Sequence, residues 1–327
     1  MTPKEGLEIG LAGFAPESPP ERLFHFYGRN RVWSLQRGRL NLTPPGCFND
    51  PFEFWAGITD HGMTESDVLR SVLAPNGLHR NAIRETEPLL FKSEDDYRPT
   101  FTSMVKCRPD LWSEHLESLV DSVRKTFCAR FGVSCFSAFA EADLLGPIGI
   151  RHWATYADGH RGFAIEYEGR HKFFRNWARK KMLFPVEYRE ERLLAILSDF
   201  DEWNEAITWR TLRVWSAMKS FHAWGQEAEW RLVVQRESGL ELGEVVREVN
   251  EEGEDRDFLP LWREDAPSES RVSGAHAIRR VILGVNASEG LANTMIAAAK
   301  EPHLRHVEVW KTRPCRTRFA LTLERIH

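Results

Sequence analysis

The chain has 327 residues, of which 42% are hydrophobic and 28% charged, and a formal net charge of −4. This is the composition of a folded globular chain, not a disordered or fibrous one. The charge gives no broad basic footprint for nucleic acid; the best local patch, "RHKFFRNWARKK" at 170–181, reads first as a solvated helix end or loop.

In chain order, residues 1–20 are rich in Gly and Pro and read as a flexible arm. "RLFHFYG" is a short strand. "RNRVWSLQRGRLNLTPP" is a short helix, then a strand with a Pro-Pro stop, and "GCFNDPFEF" is a loop. Residues 64–130 look helical, most clearly where Leu111, Trp112, Leu116, Leu119, Val123 and Phe127 recur at helical spacing. "VSCFSAF" is a buried strand, and "GPIGIRHWATYADGHRG" is a helix that ends in a turn. "GFAIEYE" alternates as a strand, and "MLFPVEY" is an edge strand, since Pro185 cannot donate to a ladder. Residues 201–222 read as a long helix with Met218 and Phe221 inward. "WGQEAEWRLVV" is a strand, and "VREVNEEGEDRDFLPLWREDAPSES" a long acidic loop. A strand "AIRRVILGV", a helix "SEGLANTMIAAAK" and two strands close the chain. This order predicts an α+β fold with a mixed, mostly antiparallel sheet. One domain over 21–327 with a helical insertion near 60–130 is expected.

The five cysteines are scattered with no C-x-x-C pair, which suits a reducing compartment. No apolar run nears about 18 residues and no charged-then-apolar leader is visible. A cytoplasmic location away from membranes is therefore expected.

Three stretches carry candidate chemistry. In "FNDPFE", Asn49, Asp50 and Glu53 either shape a turn pinned by phenylalanines or supply polar contacts at a pocket rim. In "RHWATYADGHRG", His152 and Tyr156 are four apart on one helix face. They either line a pocket floor or belong to a helix packed down by Trp153 and Tyr156. The spacing from His152 to His160 fits no zinc pattern. In "QEAEWR", strand alternation would put Glu227, Glu229 and Arg231 on one face and Trp230, Leu232 and Val234 on the other. The acids are either a surface ion-pair cluster or a sheltered acid pair, with Arg231 set to bond Glu229. The chain has no G-x-S-x-G elbow, P-loop or H-E-x-x-H.

Four motifs in order resemble the bacterial family labelled domain of unknown function 2971: "LTPPGCFNDPFE", "SCFS", "IRHWATYADGHRGFAIEYE" and "WGQEAEWR". "IRRVILG" fits as well, and the likeness spans roughly residues 22 to 325. The first strand departs from the family's basic step, with His25, Phe26 and Tyr27 in its place. A second, shorter resemblance is to the ADP-ribosyltransferase superfamily, through the E-x-E pair, the "C-F-S" strand and a first-strand histidine. That resemblance implies NAD as substrate, Glu229 as the catalytic acid and Glu227 as its partner. It implies His25 and Ser137 as NAD contacts and Trp153 or Tyr156 as a stacking surface. The partners implied are a small-molecule nucleotide and a protein or nucleic-acid acceptor, and a bacterial defence or toxin role would fit. Two other readings stand beside it. Asp50, Glu53, Glu166, Glu227 and Glu229 could gather Mg²⁺ for a nuclease or phosphodiesterase, or the pocket could be a non-catalytic ligand sensor.

Overall fold

The computed structural model describes residues 18–50, 57–59, 117, 121, 124, 125, 127–190, 194–196, 218–241, 244–249, 255–262 and 273–327. The expected helices over 64–116 and 201–217 and the arm over 1–17 lie outside the described residues. Strands come first as β1 (Arg22–Tyr27), then α1 (Trp33–Gln36), β2 (Arg39–Leu42), a 3-10 turn (Pro45–Cys47) and β3 (Gly57–Thr59). Next are β4 (Phe131–Ser137), α2 (Glu141–Leu145), α3 (Pro147–Tyr156), β5 (Phe163–Glu168), α4 (Lys172–Arg179) and β6 (Leu183–Pro185). β7 (Glu187–Arg189), β8 (Leu194–Ile196), β9 (Met218–Ser220), α5 (Phe221–Trp224), β10 (Glu229–Gln235) and α6 (Arg236–Glu241) follow. The chain closes with β11 (Val246–Val249), β12 (Asp255–Pro260), β13 (Ile278–Leu283), α7 (Glu289–Ala299), β14 (Glu308–Pro314) and β15 (Leu321–Arg325).

The chain divides into two compact units, one of Met1–Ala15, Pro45–Ala129 and Glu187–Ala223, the other of Pro16–Pro44, Arg130–Val186 and Trp224–His327. Two internal stretches thus fall in the first unit, where the sequence pointed to one insertion near 60–130. In that unit β3 pairs with β8 and β7 with β9, both in parallel. Met218 therefore sits in a strand and not in the expected helix, and Phe221 is 55% exposed and not turned inward.

The second unit holds an eight-stranded sheet in the order β15-β14-β13-β5-β1-β4-β10-β6. Its strands pair antiparallel except β13 with β14, so the fold is α+β with a mixed, mostly antiparallel sheet. β6, with Pro185, is an edge strand as read from the sequence. β1 registers along its whole length with β5, and β4 along its whole length with β10. Between β1 and β4 the register holds a single pair, Phe24 with Ser137, and beyond it Thr43 bridges Val133.

Alternation along the strands sorts side chains to two faces. Leu23, Tyr27, Phe136, Ile165, Tyr167, Trp230, Leu232 and Val281 share one core with Phe174 and Trp177 of α4 and Leu291 and Met295 of α7. Phe24, Ala164 and Ile282 face the other way, against Trp153 of α3. α3 starts with Pro147 at its first position, where the missing N–H costs nothing. It ends in Asp158, Gly159 and His160, all with positive φ (51°, 59° and 65°), a left-handed exit that turns the chain into β5. Two parts of the acidic stretch expected as loop instead form β11 and β12, which pair antiparallel and extend through β2 as a three-stranded sheet. Phe258 and Leu259 are buried there, and that burial outweighs the charged composition.

Candidate active site

β10 begins at Glu229, one residue later than simple alternation from Glu227 requires. Ala228 has φ 45°, so the backbone turns between the two acids. Glu227 and Glu229 therefore do not share a face through the pleat, which corrects the sequence expectation. Glu227 N–H donates to the Trp224 carbonyl at 2.9 Å, and Ala138 N–H to the Ala228 carbonyl at 2.9 Å, so the turn is fixed at both ends. Both carboxylates are buried, each 5% exposed.

Each acid has its own partner. Arg231, fully buried, donates from Nε to Glu229 Oε1 at 2.9 Å and from Nη2 to Oε2 at 3.3 Å. This two-point pair fixes the carboxylate plane. The expectation that Arg231 bonds Glu229 matches this geometry. Glu227 Oε1 instead accepts from the Tyr156 hydroxyl at 2.7 Å, and His152 Nε2 lies 3.8 Å from the same oxygen. His152 Nδ1 is 3.1 Å from the Ile148 carbonyl. A carbonyl can only accept, so Nδ1 carries a proton and Nε2 faces the carboxylate. Two acceptors at that separation repel unless a proton sits on one of them. Tyr156 and His152 thus gather at Glu227, while Arg231 holds Glu229 in a separate ion pair.

His152 and Tyr156 do share a face of α3, with ring centroids 5.4 Å apart. Phe26 and Phe139 wall the imidazole at 5.6 and 4.7 Å. The sequence analysis gives neither ring a role at the site, and the alternation of "FHFYG" is the signal that could have placed Phe26. Ser137 is the register partner of Glu229, so it stands on the same face and is buried. Cys135 likewise pairs with Arg231.

Trp153 and His25 do not take the expected roles in the geometry of this unit. Trp153 has no exposed surface and meets Phe26 edge-on at 5.1 Å, which makes it core and leaves no open face for stacking. His25 sits on the opposite sheet face, its ring 4.3 Å from Tyr27 and 5.6 Å from Phe136. Its Nδ1 is shielded and has no hydrogen-bond partner. Desolvation pulls its pKa down to about 4, opposed in part by the Cys135 backbone, so it is neutral at pH 7. Asn49 and Asp50 follow the 3-10 turn in the first unit, where Phe48 N–H donates to the Pro45 carbonyl at 3.3 Å. Glu53 lies outside the described residues.

Glu166 belongs to a separate charge network. It is buried and bonded by Arg280, with Arg22 Nε at 3.5 Å and Arg279 Nη1 at 3.9 Å. Arg280 and Arg22 also reach Glu141, at 2.7 and 3.5 Å, and hydrogen bonding from Arg280 lowers the Glu141 pKa. Register places Glu166, Phe24, Ser137 and Glu229 in one row across four adjacent strands. Three strand intervals are roughly 14 Å, against Mg–oxygen distances near ~2.1 Å. Glu166 and Glu229 therefore cannot share an ion. Among the described residues no group of three or more His, Cys, Asp or Glu side chains is disposed to hold a metal.

Fold and site together define an α+β chain with a sheltered acid pair at the start of an inner strand. No protein-family model, curated protein or solved structure matches it. Among the described residues no helix is long and apolar enough to cross a membrane.

Proposed function

We propose that the chain is an NAD-using enzyme of the ADP-ribosyltransferase type and a member of the bacterial family labelled domain of unknown function 2971, acting in the cytoplasm. The observation that carries this reading is the division of labour between two neighbouring buried acids. Glu229 is a charge clamped by Arg231, while Glu227 is joined to a tyrosine and a histidine. Breaking the ribose–nicotinamide bond sends its electron pair out with nicotinamide and leaves positive charge on the sugar. A fixed carboxylate in a site closed to water stabilises that charge without reorganising. Attack by an acceptor hydroxyl or amine then releases one proton, which Glu227 is placed to take and His152 to relay.

The test is release of labelled nicotinamide from NAD by the full chain with protein and nucleic-acid acceptors. Glu229→Gln is expected to lower the rate by ~10²–10³, and Glu227→Gln to impair transfer to acceptor more than hydrolysis by water. A rate that does not change in Glu229→Gln removes the proposal.

A second reading, a nucleotide-binding sensor without turnover, is favoured by one observation. Both acids are already bonded within the chain, and Trp153 offers no open face. Calorimetric binding of NAD with no nicotinamide released would select it.

A further inference from the structure

The basic stretch at 170–181 contains six Lys and Arg residues and no acidic one, in a chain whose net charge is −4. It folds as α4 with its two flanks. Phe174, Trp177 and Ala178 are buried beneath the helix, with Phe174 packed on Phe136 and Tyr167 at 5.5 and 5.6 Å. Arg170, Lys172, Arg175, Arg179, Lys180 and Lys181 all remain exposed. Lys180 lies 2.6 Å from Glu244 and over the Trp177 ring at 4.6 Å. The other five have no ion-pair partner among the described residues. Lys172, Arg175 and Arg179 stand at helical spacing along one stripe, about 10 Å long at about 1.5 Å per residue.

The chemistry of this face narrows its partner. The apolar side of α4 is used up in the core, so nothing is left to enter a bilayer, as a membrane-lying helix requires. The outer face has no apolar centre of the kind that protein interfaces bury. What remains is a row of uncompensated cations with the exposed Asn176 amide among them. Such a row complements a regular array of negative charge, which is a phosphate backbone.

We propose that the outer face of α4 binds the phosphate backbone of a nucleic acid, without sequence preference. α4 packs on the sheet face opposite Glu229, so a bound strand would leave Glu229 uncovered. This inference stands apart from the NAD reading.

The experiment titrates the full chain into fluorescein-labelled 20-mer duplexes of DNA and of RNA, with anionic phospholipid vesicles as a third arm, between about 50 and 200 mM salt. Binding to at least one duplex is expected, weakening steeply with salt. The triple variant Lys172→Gln, Arg175→Gln and Arg179→Gln is expected to bind at least ~10-fold more weakly. Its slope of log affinity against log salt should be smaller by about 2–3. Its melting temperature should match the parent's, because the three side chains are exposed and unpaired among the described residues. Absence of binding to both duplexes, equal binding by the variant, or binding to vesicles alone overturns the proposal.

Discussion

The Glu229–Arg231 pair shows how one substitution can be read two ways. Arg231 has no exposed surface, and its guanidinium is the two-point donor to a carboxylate that is itself 5% exposed. Removing one partner strands a buried charge, whereas removing both leaves none. Arg231→Met is therefore expected to cost about 3–5 kcal/mol in urea unfolding. The double variant with Glu229→Gln should recover at least about 2 kcal/mol of that. If the double variant were as unstable as the single one, Arg231 would matter through its packing and not its charge. The pair itself was legible in the sequence, because residues two apart on a strand meet. The left-handed Ala228 was not, since alanine carries none of the turn chemistry of Gly, Asn or Asp.

Helix α4 begins with an uncommon cap. His171 Nδ1 accepts the Phe173 N–H at 3.3 Å, while Nε2–H donates to the Ser273 carbonyl at 3.0 Å. Both bonds are made only by the neutral ring. Burial lowers the His171 pKa, opposed by the Ser273 carbonyl, and Lys172 and His276 push it the same way as burial. A proton on Nδ1 would turn the acceptor into a donor and set a cation against the helix N-terminus. His171→Ala should thus cost about 1 kcal/mol at pH 7, and His171→Asn much less, because asparagine can cap. The gap between parent and His171→Ala, measured by thermal unfolding, should narrow as pH falls below 6.5, because the unfolded ring then gains a proton that the folded cap resists. Elements of this kind were partly readable. "GFAIEYE" and "IRRVILG" announced β5 and β13 through alternation or apolar runs. The β11–β12 pair was hidden by its acid-rich connection, since its stability comes from pairing with β2, which is distant in sequence.

At the scale of the whole molecule, burial depresses several histidines together: His25, His160, His171 and His306 all titrate below the usual value of 6.5. In the unfolded chain these rings take up protons near that usual value. Below about pH 6.5 the unfolded state therefore binds more protons than the folded one, and stability falls. For His25 the window runs from 6.5 down to about 4. The loss from this half-buried ring is on the order of 2 kcal/mol. Urea midpoints should be flat above pH 7 and drop toward pH 4.5, and His25→Gln should flatten the drop. A parent midpoint that did not move between pH 7 and pH 4.5 would contradict this account.

The lone rung between Phe24 and Ser137 has a mechanical meaning. It joins five strands on one side to three on the other. The salt-bonded Glu229 rides on the smaller side with its own arginine, and Glu166 rides on the larger with Arg280 and Arg22. Phe136 of β4 meets Tyr167 of β5 at 5.8 Å across that seam, and Tyr156, one turn from the His152 ring that lies against Phe26 of β1, bonds Glu227 beside β10. Where the backbone ladder lapses, side chains from both sides do the joining, so the seam depends on packing more than on sheet pairing.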